Sequence, residues 1–102
     1  MNKLLSERTE ELKRLCQMYK VKSLYAFGSV VSDRMKEESD VDILVDFDKE
    51  LSVNDYTENY FSLHSKLEEL FKRDVDLVTQ RSLSNPYFIM SIEKTKRLLY
   101  AS

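Results

Sequence analysis

Two short runs, DVDILV at residues 40–45 and DVDLVT at residues 74–79, are nearly identical, and they constrain the fold more than any other feature. Each opens with two aspartates around one valine and continues into a β-rich apolar stretch, which is typical of a buried strand. If the two strands pair in similar register, Asp40, Asp42 and Asp76 fall around one point. The sequence therefore predicts a sheet with a group of carboxylates at one end.

The remaining elements follow from apolar spacing and capping residues. We predict helices over 3–19, from Ser52 or Asn54 to about Arg73, and from Pro86 onward, with strands over 21–27, 41–47 and 74–79 and a polar loop over 29–39. The expected core face of the long helix carries Val53, Tyr56, Tyr60, Leu63, Leu67 and Leu70. Residues 97–101 either add an edge strand or close the domain. This order predicts an α/β (α+β) fold, a mixed sheet of about four strands with helices packed on it, as one domain over residues 1–102.

Composition narrows the classes of function. The net charge is −2, which argues against direct nucleic-acid binding, since such binding relies on a basic face. No apolar run is long enough to span a membrane, and the N-terminus has no secretory signal. Cys16 is the only cysteine, so we expect a reducing cytoplasm and a small buried side chain at this position.

The paired aspartates are costly for folding but suit a cation. If both residues are extended, Asp40 and Asp42 face the same side of the strand, with their Cα atoms roughly 6.6 Å apart. At that distance two charges repel by about 2.5 kcal/mol at an effective dielectric of 20. Mg²⁺ is held by such oxygen ligands together with water and phosphates, and three carboxylates are enough for two ions. The alternative is a turn aspartate followed by a solvated one, and Asp76 on a second strand disfavours it.

Gly28 is the only glycine, where about seven would be expected in a chain of this length. It follows a strand, where a residue without Cβ lets the backbone approach an oxyanion closely. Ser29 adds a hydroxyl donor next to it. A Gly-Ser pair alone is usually only a turn, and this one is not a P-loop, because the second glycine and the lysine are missing.

Gly28-Ser29, followed at this spacing by Asp40-Val41-Asp42 and by Asp76 on a later strand, resembles the signature of the DNA polymerase β-like nucleotidyltransferases. Within that superfamily the chain is most similar to the minimal nucleotidyltransferase (MNT) proteins, over nearly its whole length. The resemblance implies that Gly28 and Ser29 hold a triphosphate, and that Asp40, Asp42 and Asp76 bind two Mg²⁺ ions and act in catalysis.

The resemblance also implies a reaction and a partner. The reaction is transfer of AMP from ATP to a hydroxyl, most simply a tyrosine, on a protein that presents its own acceptor. MNT proteins commonly pair with a HEPN-type toxin, so an antitoxin role is expected. The alternative function is a binding module that neutralises its partner by occupancy, without turnover.

One departure from the family pattern concerns the basic residues. Relatives often carry arginines soon after Gly-Ser, whereas Arg34 and Lys36 are the first cations here. Arg34 is therefore either a nucleotide ligand or a solvated loop charge. His64, the only histidine, is expected to be a partly buried structural residue, because a histidine metal cluster cannot form from one side chain.

Overall fold

A mixed four-stranded sheet is the framework of the computed structural model, which describes residues 3–31 and 40–102. The strands are β1 (Val21–Phe27), β2 (Val41–Phe47), β3 (Val75–Thr79) and β4 (Arg97–Ala101). The helices are α1 (Lys3–Ser6), α2 (Thr9–Met18), α3 (Val53–Phe71) and α4 (Pro86–Thr95). The sheet order is β3-β2-β1-β4, with β2 and β3 parallel and the other pairs antiparallel. The predicted fold class is confirmed.

The two faces of the sheet are covered unequally. The larger core packs α1, α2 and α3 against one face and includes Leu5, Leu12, Cys16, Ile43, Val45, Leu63, Leu67 and Phe71. On the other face, Phe27 and Leu44 pack against Ile92 of α4 in a smaller cluster. Side chains alternate along a strand, so Asp42 shares the face of Leu44, which α4 covers. The thinly covered face is therefore the one that carries the carboxylates.

The first predicted helix is wrong in one respect, because residues 3–19 form two helices with a break at Arg8. Nε of Arg8 donates to the carbonyl oxygen of Leu70 at 3.1 Å, and Nη1 donates to that of Leu4 at the same distance. The guanidinium thus satisfies carbonyls at two helix ends, which offsets the loss of continuous helix. Cys16 is buried as predicted, and burial raises the pKa of its thiol to about 12.

The long helix α3 begins after Ser52, whose hydroxyl accepts a hydrogen bond from the Asp55 amide at 3.1 Å. It ends at Phe71 because Lys72 adopts a left-handed conformation, with φ of 54°. The prediction that Val53 faces the core is wrong: this first helical residue is 82% exposed. Phe71, which the predicted core face did not include, is buried. No helix within the described residues is both long and apolar enough to cross a membrane.

Side chains of α3 cover the outer edge of β3. The Tyr60 hydroxyl donates to the Leu77 carbonyl at 2.6 Å, and Nε2 of His64 lies 2.7 Å from the Val75 carbonyl oxygen. Glu68 accepts from the Val75 amide at 3.0 Å. These contacts satisfy edge groups that would otherwise be free to pair with another chain. The structural role predicted for His64 is confirmed.

The last elements confirm the predicted start of α4 and settle the role of residues 97–101. The Asn85 side chain caps α4 by accepting from the Tyr87 amide at 2.9 Å, and Pro86 occupies the first turn as expected. Residues 97–101 form the edge strand β4, which pairs with β1. Because β4 follows α4 directly, the end of α4 is fixed beside the end of β1.

Candidate active site

Asp42 and Asp76 are direct partners in the parallel ladder between β2 and β3. Partners in register point their side chains to the same face of the sheet. Asp42 is half-buried, and Asp76 is exposed. Asp42 also lies opposite Phe27, the last residue of β1. The structure therefore brings two of the three predicted carboxylates together at the end of the sheet where β1 ends.

Asp40 lies immediately before β2 and is exposed. The pKa of the Asp42 carboxyl is raised from 3.8 to about 6, chiefly by burial and then by the neighbouring charges of Asp76 and Asp40. None of the three aspartates takes part in an ion pair between residues that the structure describes. This end of the sheet thus concentrates negative charge, and no salt bridge between described residues pairs with any of the three aspartates.

Gly28 follows β1 directly and lies against Asp42. Its φ is +72°, a left-handed conformation that side chains other than glycine rarely adopt. A Cβ atom at this position would lie 2.5 Å from Oδ2 of Asp42. Glycine is thus required twice, by the backbone conformation and by the space that the carboxylate occupies. Only the second requirement concerns the site, and the sequence did not predict it.

The amide of Gly28 donates a hydrogen bond to the hydroxyl of Thr95, at 3.0 Å. Thr95 is the last residue of α4, and the bond joins positions 67 residues apart in the chain. Sequence reasoning missed Thr95, because no local pattern marks a threonine at a helix end as the partner of a distant turn. The contact places α4 directly beside the carboxylates.

The other predicted nucleotide ligands are Ser29 and Arg34. Ser29 is half-buried in the 3₁₀ turn Gly28–Val31. It follows Gly28, the residue that lies against Asp42. Arg34 and the neighbouring Lys36 lie outside the described residues, as does most of the loop predicted over 29–39. The nucleotide-binding roles of Gly28, Ser29 and Arg34 stay predictions.

The carboxylates of Asp42 and Asp76 form a pair that fits Mg²⁺. Asp42 and Asp76 offer hard oxygen atoms on one face, and Mg²⁺ is bound by one or two carboxylates while water and substrate phosphates complete its shell. Over residues 3–31 and 40–102 no three His, Cys, Asp or Glu side chains already stand in metal-binding geometry. Completion of a site by Asp40 and a second ion stays a prediction.

A family model described as the nucleotidyltransferase domain matches residues 9–99. The chain is a nucleotidyltransferase. The match contains the Gly28 turn and all three predicted aspartates, so the predicted enzyme class is confirmed together with the fold.

Relatives of this nucleotidyltransferase are named for protein adenylyltransferase activity. A protein of Methanocaldococcus jannaschii named as a candidate protein adenylyltransferase is 42% identical over 98 residues, covering 90% of this chain and 94% of its own. Protein adenylyltransferase MntA of Thermococcus cleftensis is 40% identical over 77 residues, covering 76% and 74%. A crystal structure of a toxin–antitoxin with AMP-PNP matches with a TM-score of 0.71 at 25% identity, covering 92% of this chain and 73% of that one.

The raised pKa of Asp42 predicts a pH-dependent stability difference. The folded protein favours protonated Asp42, so this contribution to stability is complete below pH 3.8 and is lost as pH rises through about 6. We expect Asp42→Asn to raise the free energy of unfolding at pH 8 by about 1 kcal/mol relative to the wild type, a value reduced because solvent screens a half-exposed carboxylate. At pH 5, which lies between the two pKa values, the gain should fall to about half. Urea unfolding at both pH values measures it.

Asp46 supplies the control for this experiment, because it lies on the same face of β2 near the other end of the strand. Asp46→Asn removes one carboxylate without touching the Asp42–Asp76 pair. An equal pH-dependent gain in both variants would mean that loss of any β2 carboxylate suffices, and would contradict an effect specific to Asp42, which burial and then the charge of Asp76 cause.

Proposed function

We propose that this nucleotidyltransferase transfers AMP from ATP to a hydroxyl of a partner protein, most simply a tyrosine, and thereby acts as the antitoxin of a HEPN-type toxin. The observation that carries the proposal is the register that puts Asp42 beside Asp76 at the end of the sheet closed by the Gly28 turn. The names of the relatives, and the toxin–antitoxin with AMP-PNP, favour AMP and a protein acceptor.

The proposed reaction exchanges one phosphorus–oxygen bond for another. The acceptor oxygen bonds to the α-phosphorus of ATP, and the bond from that phosphorus to the oxygen bridging to the β-phosphorus breaks. Pyrophosphate leaves, and the hydroxyl proton passes to a carboxylate. Asp76 suits this last role because its side chain is exposed, so a docked protein can reach it.

The remaining residues bind and orient. Asp42 and Asp76, with Asp40 at the strand entrance, would hold Mg²⁺, which when bound offsets the charge of the phosphates. Gly28 leaves the Asp42 carboxylate in place because it has no Cβ. Ser29 offers a hydroxyl to the triphosphate, and Arg34 is the proposed cation for it.

The negative net charge of the chain favours a protein acceptor over a nucleic acid. The net charge is −2, and the carboxylate end of the sheet would repel a phosphate backbone that lacks bound metal. Cys16 is the only cysteine of the chain, so no internal disulfide can form, and we propose the cytoplasm.

The experiment is to incubate the purified protein with ATP, Mg²⁺ and the candidate partner, the product of the neighbouring gene. The mass of that product is then measured by mass spectrometry. We expect the partner to gain the mass of one or more AMP groups on a tyrosine, and to lose its toxicity. A partner that binds and is neutralised without gaining mass would support the alternative function, neutralisation by occupancy.

A further inference from the structure

Helix α4 contacts the Gly28 turn and the residue before it at two points, one near each end of the helix. Thr95 accepts the Gly28 amide hydrogen bond at 3.0 Å, and the ring of Phe88 meets that of Phe27 edge-on, with centroids 6.0 Å apart. Phe27 is the residue opposite Asp42 and precedes Gly28. The position of the turn therefore depends on α4 as well as on the sheet.

The Thr95 hydroxyl is suited to hold this turn. Its only other hydrogen bond in the described part of the chain is a long one, to the Ser91 carbonyl at 3.5 Å. Glycine has the largest conformational freedom of any residue, so a turn built on Gly28 loses its geometry easily unless something fixes it. Without Thr95 the half-buried amide would also lack its partner, which is costly in a site that must stay ordered.

We propose that Thr95 is a positioning residue of the nucleotidyltransferase site, which anchors the Gly28 amide and so keeps the turn in the conformation that accepts nucleotide. The inference rests on the proposed function. It gives the Gly28 amide a structural role and leaves phosphate contacts to neighbouring groups. Thr95 itself does not touch the reacting atoms.

If the Gly28 amide instead binds phosphate, loss of the Thr95 hydroxyl should change nucleotide affinity in the opposite direction. If the Gly28 amide were a phosphate donor, it would have to leave Thr95 when the nucleotide binds. Removing the Thr95 hydroxyl would then free the amide in advance and strengthen nucleotide binding. Under our proposal the same change weakens nucleotide binding, because the turn must then become ordered whenever a nucleotide binds.

The test compares Thr95→Val, which keeps the shape but lacks the hydroxyl, with Thr95→Ser, which keeps the hydroxyl. Thr57→Val is a matched control, because the Thr57 hydroxyl also donates to the carbonyl four residues earlier, in α3. We expect Thr95→Val to weaken Mg-ATP binding by about three- to tenfold and to raise KM for ATP more than it lowers kcat. Thr95→Ser should stay within about twofold of the wild type, as should Thr57→Val.

Unchanged or tighter Mg-ATP binding by Thr95→Val overturns the proposal. Thr95→Ala, which lacks the hydroxyl and adds no bulk, gives the same test if the valine variant does not fold. Wild-type protein that binds Mg-ATP but transfers no AMP to its partner overturns the proposed function alone, since the affinity series still decides the role of Thr95. Wild-type protein that binds no Mg-ATP overturns both.

Discussion

We expect Asp42→Asn to lower the rate of the proposed AMP transfer by roughly 100- to 1000-fold, the size of effect seen when one preorganised electrostatic group is removed from a transition state. The amide has the shape of the carboxylate but no charge, so it binds Mg²⁺ poorly. The loss should come with the higher stability expected at pH 8, because the same substitution removes a charge that burial and then the repulsion from Asp76 disfavour. Transfer to the partner protein is measured at saturating ATP, alongside the melting temperature of the variant.

Two further variants make this result specific. Asp76→Asn should lose activity to a similar degree, because Asp76 is the ladder partner of Asp42. Asp46→Asn changes the same face of β2 near the other end and should retain activity within about twofold, since exposed or remote substitutions have small effects. Full activity in Asp42→Asn would show that the carboxylate pair is structural.

Gly28→Ala should damage both folding and activity. Alanine in a left-handed conformation costs about 1–2 kcal/mol. In a domain of this size each kcal/mol lowers the melting temperature by about 4–8 °C. The new Cβ would meet Oδ2 of Asp42 at 2.5 Å and must displace the carboxylate. A misplacement of about 1 Å at a reacting site can cost roughly 100-fold in rate, so we expect transfer to fall by about that factor.

A double-mutant cycle separates the two causes. In an Asp42→Ala background the carboxylate is absent, so the cost of Gly28→Ala should shrink to the backbone strain alone. Urea unfolding of the four proteins gives the interaction energy between the two positions. A cost that is the same in both backgrounds would show that the methyl group does not meet Asp42.

The elements of this fold were predictable wherever local chemistry decides them. Pro86 after Asn85 marked the start of α4, and the apolar run after Asp40 marked β2. The break at Arg8 was not predictable, because it depends on a carbonyl of Leu70, 62 residues away. Val53 was misassigned because its apolar side chain matched the helical spacing, although it lies in the first turn, beyond the edge of the core.

In the site, too, features that depend on local sequence were predictable and those that depend on distant contacts were not. The repeated Asp-Val-Asp pattern predicted that Asp42 and Asp76 meet, since it needs only two strands in similar register. That Gly28 lies against Asp42 requires the antiparallel pairing of β1 with β2, which the sequence does not specify. The bond to Thr95 requires in addition the path of α4 across the sheet, and no sequence signal marks it.

The most direct test of AMP transfer uses two preparations of ATP, one carrying a radioactive label on the α-phosphate and one on the γ-phosphate. Each is incubated with Mg²⁺, the purified nucleotidyltransferase and its partner protein. We predict that the partner acquires label from α-labelled ATP only, and that Asp42→Asn reduces this label while Asp46→Asn does not. Label from γ-labelled ATP, or equal α-labelling by the wild type and Asp42→Asn, would contradict AMP transfer at this end of the sheet.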